Sequence, residues 1–189
     1  MNRILRRICL PALRSIFVLL LTLPVFAQNQ DATIRQRLKD YERRQDNAID
    51  FAWPHLDSPD AALRTAARRA IQRQPFDSWK ARALEEKNTW ASIEALTALA
   101  EACPPEQAAA LSPHLCEHIT TLQFEHMDAA QQLTTIRLTR LVFLRLGPVS
   151  EDERRQMLDL WSRLQPLPTV AEELRGLLRF LGTVRTRRS

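Results

Sequence analysis

The sequence predicts an all-α fold of stacked antiparallel helical hairpins, an α-solenoid of about seven or eight helices. Apolar residues recur at intervals of three and four along most of the chain. Only three glycines occur among 189 residues, and no alternating Val, Ile and Thr segment predicts a strand. The short connections between the predicted helices favour antiparallel neighbours, and a compact orthogonal bundle remains the structural alternative.

The first 27 residues have the features of an export signal. Four arginines and no acidic residue precede an apolar run at 16–26 that ends next to Ala27. This run is too short to cross a bilayer comfortably, which takes roughly 20 apolar residues. We therefore predict a cleaved signal peptide at 1–27, export to the periplasm or the extracellular space, and no membrane span after cleavage. An uncleaved N-terminal anchor is the alternative.

Loss of the leader changes the charge balance. The leader holds four of the 27 basic residues and none of the 22 acidic ones, so the mature chain has 23 basic and 22 acidic residues. This near-neutral balance does not favour nucleic acid as a partner. The positive charge that remains is local, in a basic tail at 184–189 and in an arginine cluster in the first half of the chain.

A polar helix is predicted at 28–46, mobile on account of its high charge, and it precedes a repeat domain at 47–183. The domain begins with a short helix at 47–56 that Pro54 interrupts. Ser58 is then expected to cap the next helix, with Pro59 in its first turn. A third short helix follows at 77–86.

Capping residues divide the rest of the domain. Asn88 starts a helix that reaches Cys103, and Ser112-Pro113 is expected to start another. The helix that begins at Asp128 is apolar around most of its circumference, so we expect it to be the most buried one, and Gly147 ends it. Ser150 and Glu153 form a capping box, and a last helix opens at 169 and closes at Gly182.

A resemblance to a known family rests on several of these segments. The segment Leu56-Asp57-Ser58-Pro59-Asp60-x-x-Leu63-Arg64-x-Ala66-Ala67-Arg68 resembles the second helix of a HEAT repeat. Residues 67–100, together with motifs at 132–147 and 173–181, resemble the HEAT-like segment of large secreted planctomycete-type proteins. Those proteins join such a segment to a sugar-dehydrogenase-like propeller and a c-type cytochrome domain. The resemblance covers about residues 47–182.

HEAT segments generally act as curved scaffolds that bind other macromolecules. The resemblance therefore implies an exported, non-catalytic scaffold with a protein partner, and the arginine cluster is the candidate partner surface. Its members are Arg64, Arg68, Arg69 and Arg73. An accessory subunit of a secreted oxidoreductase is an alternative, although the chain has no Cys-x-x-Cys-His haem attachment motif. Bilin lyases, also built from HEAT-type repeats, give an enzymatic alternative that the predicted export disfavours.

Metal binding is the strongest alternative to a scaffold function. Its candidate ligands crowd a short stretch and are His114, Cys116, His118 and His126. His114 and His118 lie one helical turn apart, as zinc or copper ligands often do. However, Leu115 and Ile119 occupy the buried stripe of the same helix, which leaves the two histidines on an ordinary polar face.

The remaining signals are weak. An exported chain favours a disulfide between Cys103 and Cys116, and two small buried apolar side chains are the alternative. No Ser/His/Asp set, phosphate loop or nucleotide motif occurs, so we predict neither an enzyme nor a bound cofactor. The four tryptophans are spread through the helices, which favours packing in the core.

Overall fold

A computed structural model describes residues 31–42, 48–147 and 149–184, and these residues form an all-α structure without strands. The predicted signal peptide at 1–27 lies outside the described residues, as does all of the basic tail except Val184. None of the helices in the described ranges combines the length and the apolar character that a membrane span requires.

Nine α-helices and three short 3-10 helices make up the described part of the chain, somewhat more than predicted. Residues 31–42 form α1. The others are α2 (Ile49–Ala52), α3 (Ala61–Gln72), α4 (Lys80–Glu85), α5 (Thr89–Ala102), α6 (Pro105–Thr121), α7 (Ala129–Arg145), α8 (Glu151–Arg163) and α9 (Ala171–Thr183), with 3-10 helices at Trp53–Asp57, Phe76–Ser78 and Phe124–His126.

The order in which the helices contact each other follows the chain. Helices α3, α5, α7 and α9 pack side by side in that order, each against the next. Helices α4, α6 and α8 also contact each other in sequence, and each packs against the helix that follows it in the chain. The buried side chains between these helices form one continuous hydrophobic cluster that extends from Leu38 in α1 to Leu181 in α9.

Several predicted helix boundaries are confirmed. The side chains of Asn88, Asp128 and Ser150 each accept a hydrogen bond from a backbone N–H in the first turn of α5, α7 and α8. The predicted capping box of Ser150 and Glu153 is complete in both directions. Gly147 has φ +83°, the left-handed conformation expected after the end of α7.

Three predicted boundaries are wrong. Asp60, and not Ser58, caps α3, while the Ser58 hydroxyl accepts a hydrogen bond from the Asp60 backbone instead. Ser112-Pro113 does not start a helix, because α6 begins at Pro105 and contains Pro113 in its interior. Gly182 does not close the last helix, which continues to Thr183.

The most buried helix is also not the predicted one. In α5, ten consecutive residues from Ala91 to Ala100 are buried, whereas α7 has seven buried residues in total. The reason is position, since α5 packs against α3, α4, α7 and the 3-10 helix at Trp53–Asp57.

Candidate functional site

The candidate site is built around two carboxylates of α5. Trp90, Glu94, Thr97 and Glu101 are spaced at i, i+4, i+7 and i+11 and therefore share one face of the helix. Glu94 is only 5% exposed, while Glu101 lies at the C-terminal end of the helix and is partly accessible. This row of α5 faces the neighbouring helix α3.

Arg64 of α3 reaches across this row. Its Nε lies 3.4 Å from Glu94 Oε1, and its guanidinium stacks 3.6 Å from the centre of the Trp90 ring. Its Nη1 also donates to the carbonyl oxygens of Ser58, at 2.6 Å, and Pro59, at 3.2 Å. Arg64 therefore ties the segment before α3 to α5, and it is 7% exposed.

Arg68 and Gln72 continue the contacts one and two turns further along α3. Arg68 Nη1 donates to Glu94 Oε2 at 2.9 Å, and its Nε lies 3.5 Å from Glu101 Oε2. Gln72 Nε2 donates to Glu101 Oε2 at 2.7 Å. Together with Arg64, these side chains form a polar ladder that spans the interface of α3 and α5 and neutralises both carboxylates.

The structure corrects the predicted partner surface. Arg64 and Arg68 belong to the ladder and are directed at α5, so they are not available to a partner. Arg69 and Arg73 are exposed, and neither forms an ion pair with any residue in the described ranges. Both border a cleft of about 490 Å³, together with Glu42, Gln72, Glu101 and Ala102.

Helix α7 adds basic and apolar side chains that the sequence analysis missed. Arg137, Leu141 and Leu144 share one face at i, i+4 and i+7, and Leu144 is 62% exposed. Arg145 Nη2 donates to the backbone carbonyl of Glu101 at 3.0 Å, which places it at the same end of α5 as the cleft. Arg140 points the other way and lies 5.9 Å from the Phe180 ring of α9.

We group the exposed arginines of α3 and α7, the arginine just after α3 and two leucines of α7 under the name arginine face. It consists of Arg69, Arg73, Arg137, Leu141, Leu144 and Arg145. One signal in the sequence could have identified its α7 half. Helix α7 contains three arginines and no acidic residue, so its charge is not balanced within the helix.

The four candidate metal ligands do not come together. His114 is exposed, Cys116 is fully buried, and the His126 Nδ1 lies 3.0 Å from Gln123 Oε1. His118 Nε2 lies 3.2 Å from the hydroxyl of Ser92, a fully buried residue of α5. Within the described ranges, no three His, Cys, Asp or Glu side chains are grouped as a metal ion would require.

Of the two possibilities for Cys103 and Cys116, the structure has the unbonded one, since both described cysteines are free. Cys103 lies just before α6 and Cys116 lies eleven residues into it, so the helical rise alone separates them by about 16 Å. The Cys103 thiol donates to the carbonyl of Pro104. Burial, with a contribution from the charge of Glu153, raises the pKa of the Cys116 thiol to about 12, although Ser112 acts in the opposite direction.

Comparison with known proteins identifies no relative, because no family model, curated protein or solved structure matches the chain.

Proposed function

We propose that the protein is an exported, non-catalytic scaffold of the HEAT type that binds another protein through the arginine face. The observation that carries this proposal is the packing order of the helices. Helices α3, α5, α7 and α9 contact each other in chain order, and so do α4, α6 and α8. This contact order is the one that two parallel layers of an α-solenoid would produce, and the open surfaces of α-solenoids bind other macromolecules.

Export rests on the leader features at 1–27, and the HEAT assignment rests on the motifs of residues 47–182. The ladder between α3 and α5 supports a scaffold role. Its carboxylates and guanidinium groups pair with each other across the two helices and hold them together. The metal-binding alternative loses support because its four candidate ligands point to different environments.

The solenoid arrangement can be tested by hydrogen exchange of the Leu177→Ala variant. Leu177 is fully buried in α9, so its truncation should cost about 2–5 kcal/mol locally. In a solenoid, each unit contacts only its neighbours, so exchange should accelerate in α8, α9 and α7 and remain unchanged in α2 and α3. Equal acceleration in all helices would indicate a compact bundle and contradict the proposal.

Partner binding can be tested by photo-crosslinking in the native envelope. A benzophenone side chain at position 73, on the arginine face, should give a discrete adduct with another protein. The same group at the exposed position 117 of α6 is the matched control and should not give it. No adduct from position 73, or the same adduct from both positions, would refute binding through this face.

A further inference from the structure

We infer that the partner segment bound by the arginine face is an extended acidic peptide with apolar side chains, an inference that rests on the proposed function. The face combines guanidinium groups that form no ion pair within the described ranges with one exposed leucine, Leu144, and a partly buried one, Leu141. Each of these features on its own is ordinary for a protein surface. Their combination on α3 and α7, which both pack against α5, indicates what the surface can recognise.

The charge of the face is unbalanced. Helices α3 and α7 together contain six arginines and no acidic residue. Two of the six, Arg64 and Arg68, neutralise the carboxylates of α5. Arg69 and Arg137, like Arg73 just beyond α3, form no ion pair within the described ranges, and Arg145 contacts only a backbone carbonyl.

This excess is not a property of the whole chain. The mature chain is nearly neutral, with 23 basic and 22 acidic residues. Helix α6, in the other layer, has two glutamates and no lysine or arginine. The excess of arginine on α3 and α7 therefore favours a negatively charged partner, because it would attract that partner and stabilise the complex.

The dimensions of the face suit an extended chain. Arg137 and Arg145 are eight residues apart in α7, which corresponds to about 12 Å along the helix. From Arg145, the surface continues past Glu101 to the cleft, which Arg69 and Arg73 border together with Glu42 and Glu101. Of these two carboxylates, Glu101 is already engaged by Arg68 and Gln72. A peptide that crosses α7, α5 and α3 would therefore meet arginines at both ends of its path. Guanidinium groups bind carboxylates through paired parallel hydrogen bonds.

The exposed Leu144 favours a peptide over a simple polyanion. Leu144 is 62% exposed, a large value for an apolar side chain of this size, and Leu141 is partly buried beside it. Arg137 lies one turn before Leu141 on the same face. A nucleic acid or a polysaccharide would use the arginines and leave these leucines in water, whereas an apolar side chain of a peptide would bury them.

Fluorescence anisotropy with designed peptides tests this inference. The probe is a 15-residue peptide of Glu, Asp and Leu, and its matched control has Gln and Asn at every acidic position. The purified protein should bind the acidic peptide at least tenfold more tightly than the neutral one, a difference of about 1.4 kcal/mol. Added salt should weaken the binding, because the contacts are exposed ion pairs.

Charge-reversal variants locate the site. The variant with Arg69→Glu, Arg73→Glu, Arg137→Glu and Arg145→Glu should lose at least tenfold in affinity for the acidic peptide. A second variant, Leu144→Ser, changes no charge and should also weaken binding. Arg155 and Arg163 of α8 are 70% and 75% exposed, and the control variant Arg155→Glu/Arg163→Glu should retain affinity within twofold. Circular dichroism of each variant establishes that it is folded.

Three outcomes would overturn the inference. One is equal binding of the neutral peptide, and another is an equal loss in the α8 control variant. The third is tight binding of a single-stranded oligonucleotide that the Leu144→Ser change does not affect, which would identify a general polyanion site. If the acidic peptide does not bind but position 73 still gives a discrete crosslinked adduct, the inference is wrong while the proposed scaffold function stands. If the peptide does not bind and position 73 gives no adduct, both the inference and the proposed function are wrong.

Discussion

Replacement of Glu94 by glutamine tests whether the ladder between α3 and α5 holds these helices together. Glu94 is 5% exposed and accepts contacts from Arg64 and Arg68 at 3.4 and 2.9 Å. Glutamine has nearly the same shape but removes the negative charge, so the guanidinium of Arg64, which is 7% exposed, loses its counter-ion. Loss of one partner of a buried ion pair typically costs about 3–5 kcal/mol.

The expected cost lies at the lower end of that range. Arg64 keeps its hydrogen bonds to the carbonyls of Ser58 and Pro59 and its contact with the Trp90 ring, and these partly compensate the charge. We therefore expect the free energy of unfolding to fall by about 3 kcal/mol, which for a domain of this size lowers the melting temperature by roughly 6–12 °C. Urea denaturation followed by circular dichroism measures the change.

The matched control is Glu117→Gln, an exposed position on α6 that should change stability by less than about 0.5 kcal/mol. A double-mutant cycle with Arg64→Met then isolates the pair, and we expect a coupling energy of about 1–3 kcal/mol. If Glu94→Gln behaves like the control, or if the effects of Glu94→Gln and Arg64→Met are simply additive, the ladder does not stabilise the interface.

Further predictions concern helix ends and the two cysteines. Gly147→Ala should cost about 1 kcal/mol because φ is +83° there, whereas Gly182→Ala, inside α9 with open space around it, should be neutral or stabilising in the same urea assay. Ser150→Ala removes the cap of α8 and should lower the unfolding free energy by about 1 kcal/mol in that assay, and an unchanged value would mean that the cap is dispensable. Iodoacetamide at pH 8 should label Cys103 in the folded protein but leave Cys116 unmodified until urea is added, because burial raises the pKa of its thiol to about 12. Mass spectrometry reads the labelling, and rapid modification of Cys116 in the folded state would contradict its burial.

The helix boundaries show which parts of the fold a sequence can predict. Asn88, Asp128 and Ser150 are predicted correctly because a capping side chain acts on backbone groups within three residues, so its signal is local. Ser112-Pro113 carries the same local signal and is wrong. Helix α6 continues through Pro113 because Leu111, Leu115 and their neighbours are buried on both sides of it, and this packing outweighs the lost backbone hydrogen bond.

The arginines of α3 illustrate why the site could be predicted only in part. Arg64, Arg68, Arg69 and Arg73 have the same chemistry and similar spacing, yet two are enclosed and two are exposed. The opposing helix α5 accounts for this difference in exposure. Its carboxylates lie seven residues apart, so that Arg64 contacts Glu94 and Arg68 contacts both Glu94 and Glu101. The arginines that stay exposed are therefore those whose charge the neighbouring helix does not match. The three arginines of α7 likewise have no acidic residue in their own helix, and the carboxylates of α5, Glu94 and Glu101, are already engaged by α3.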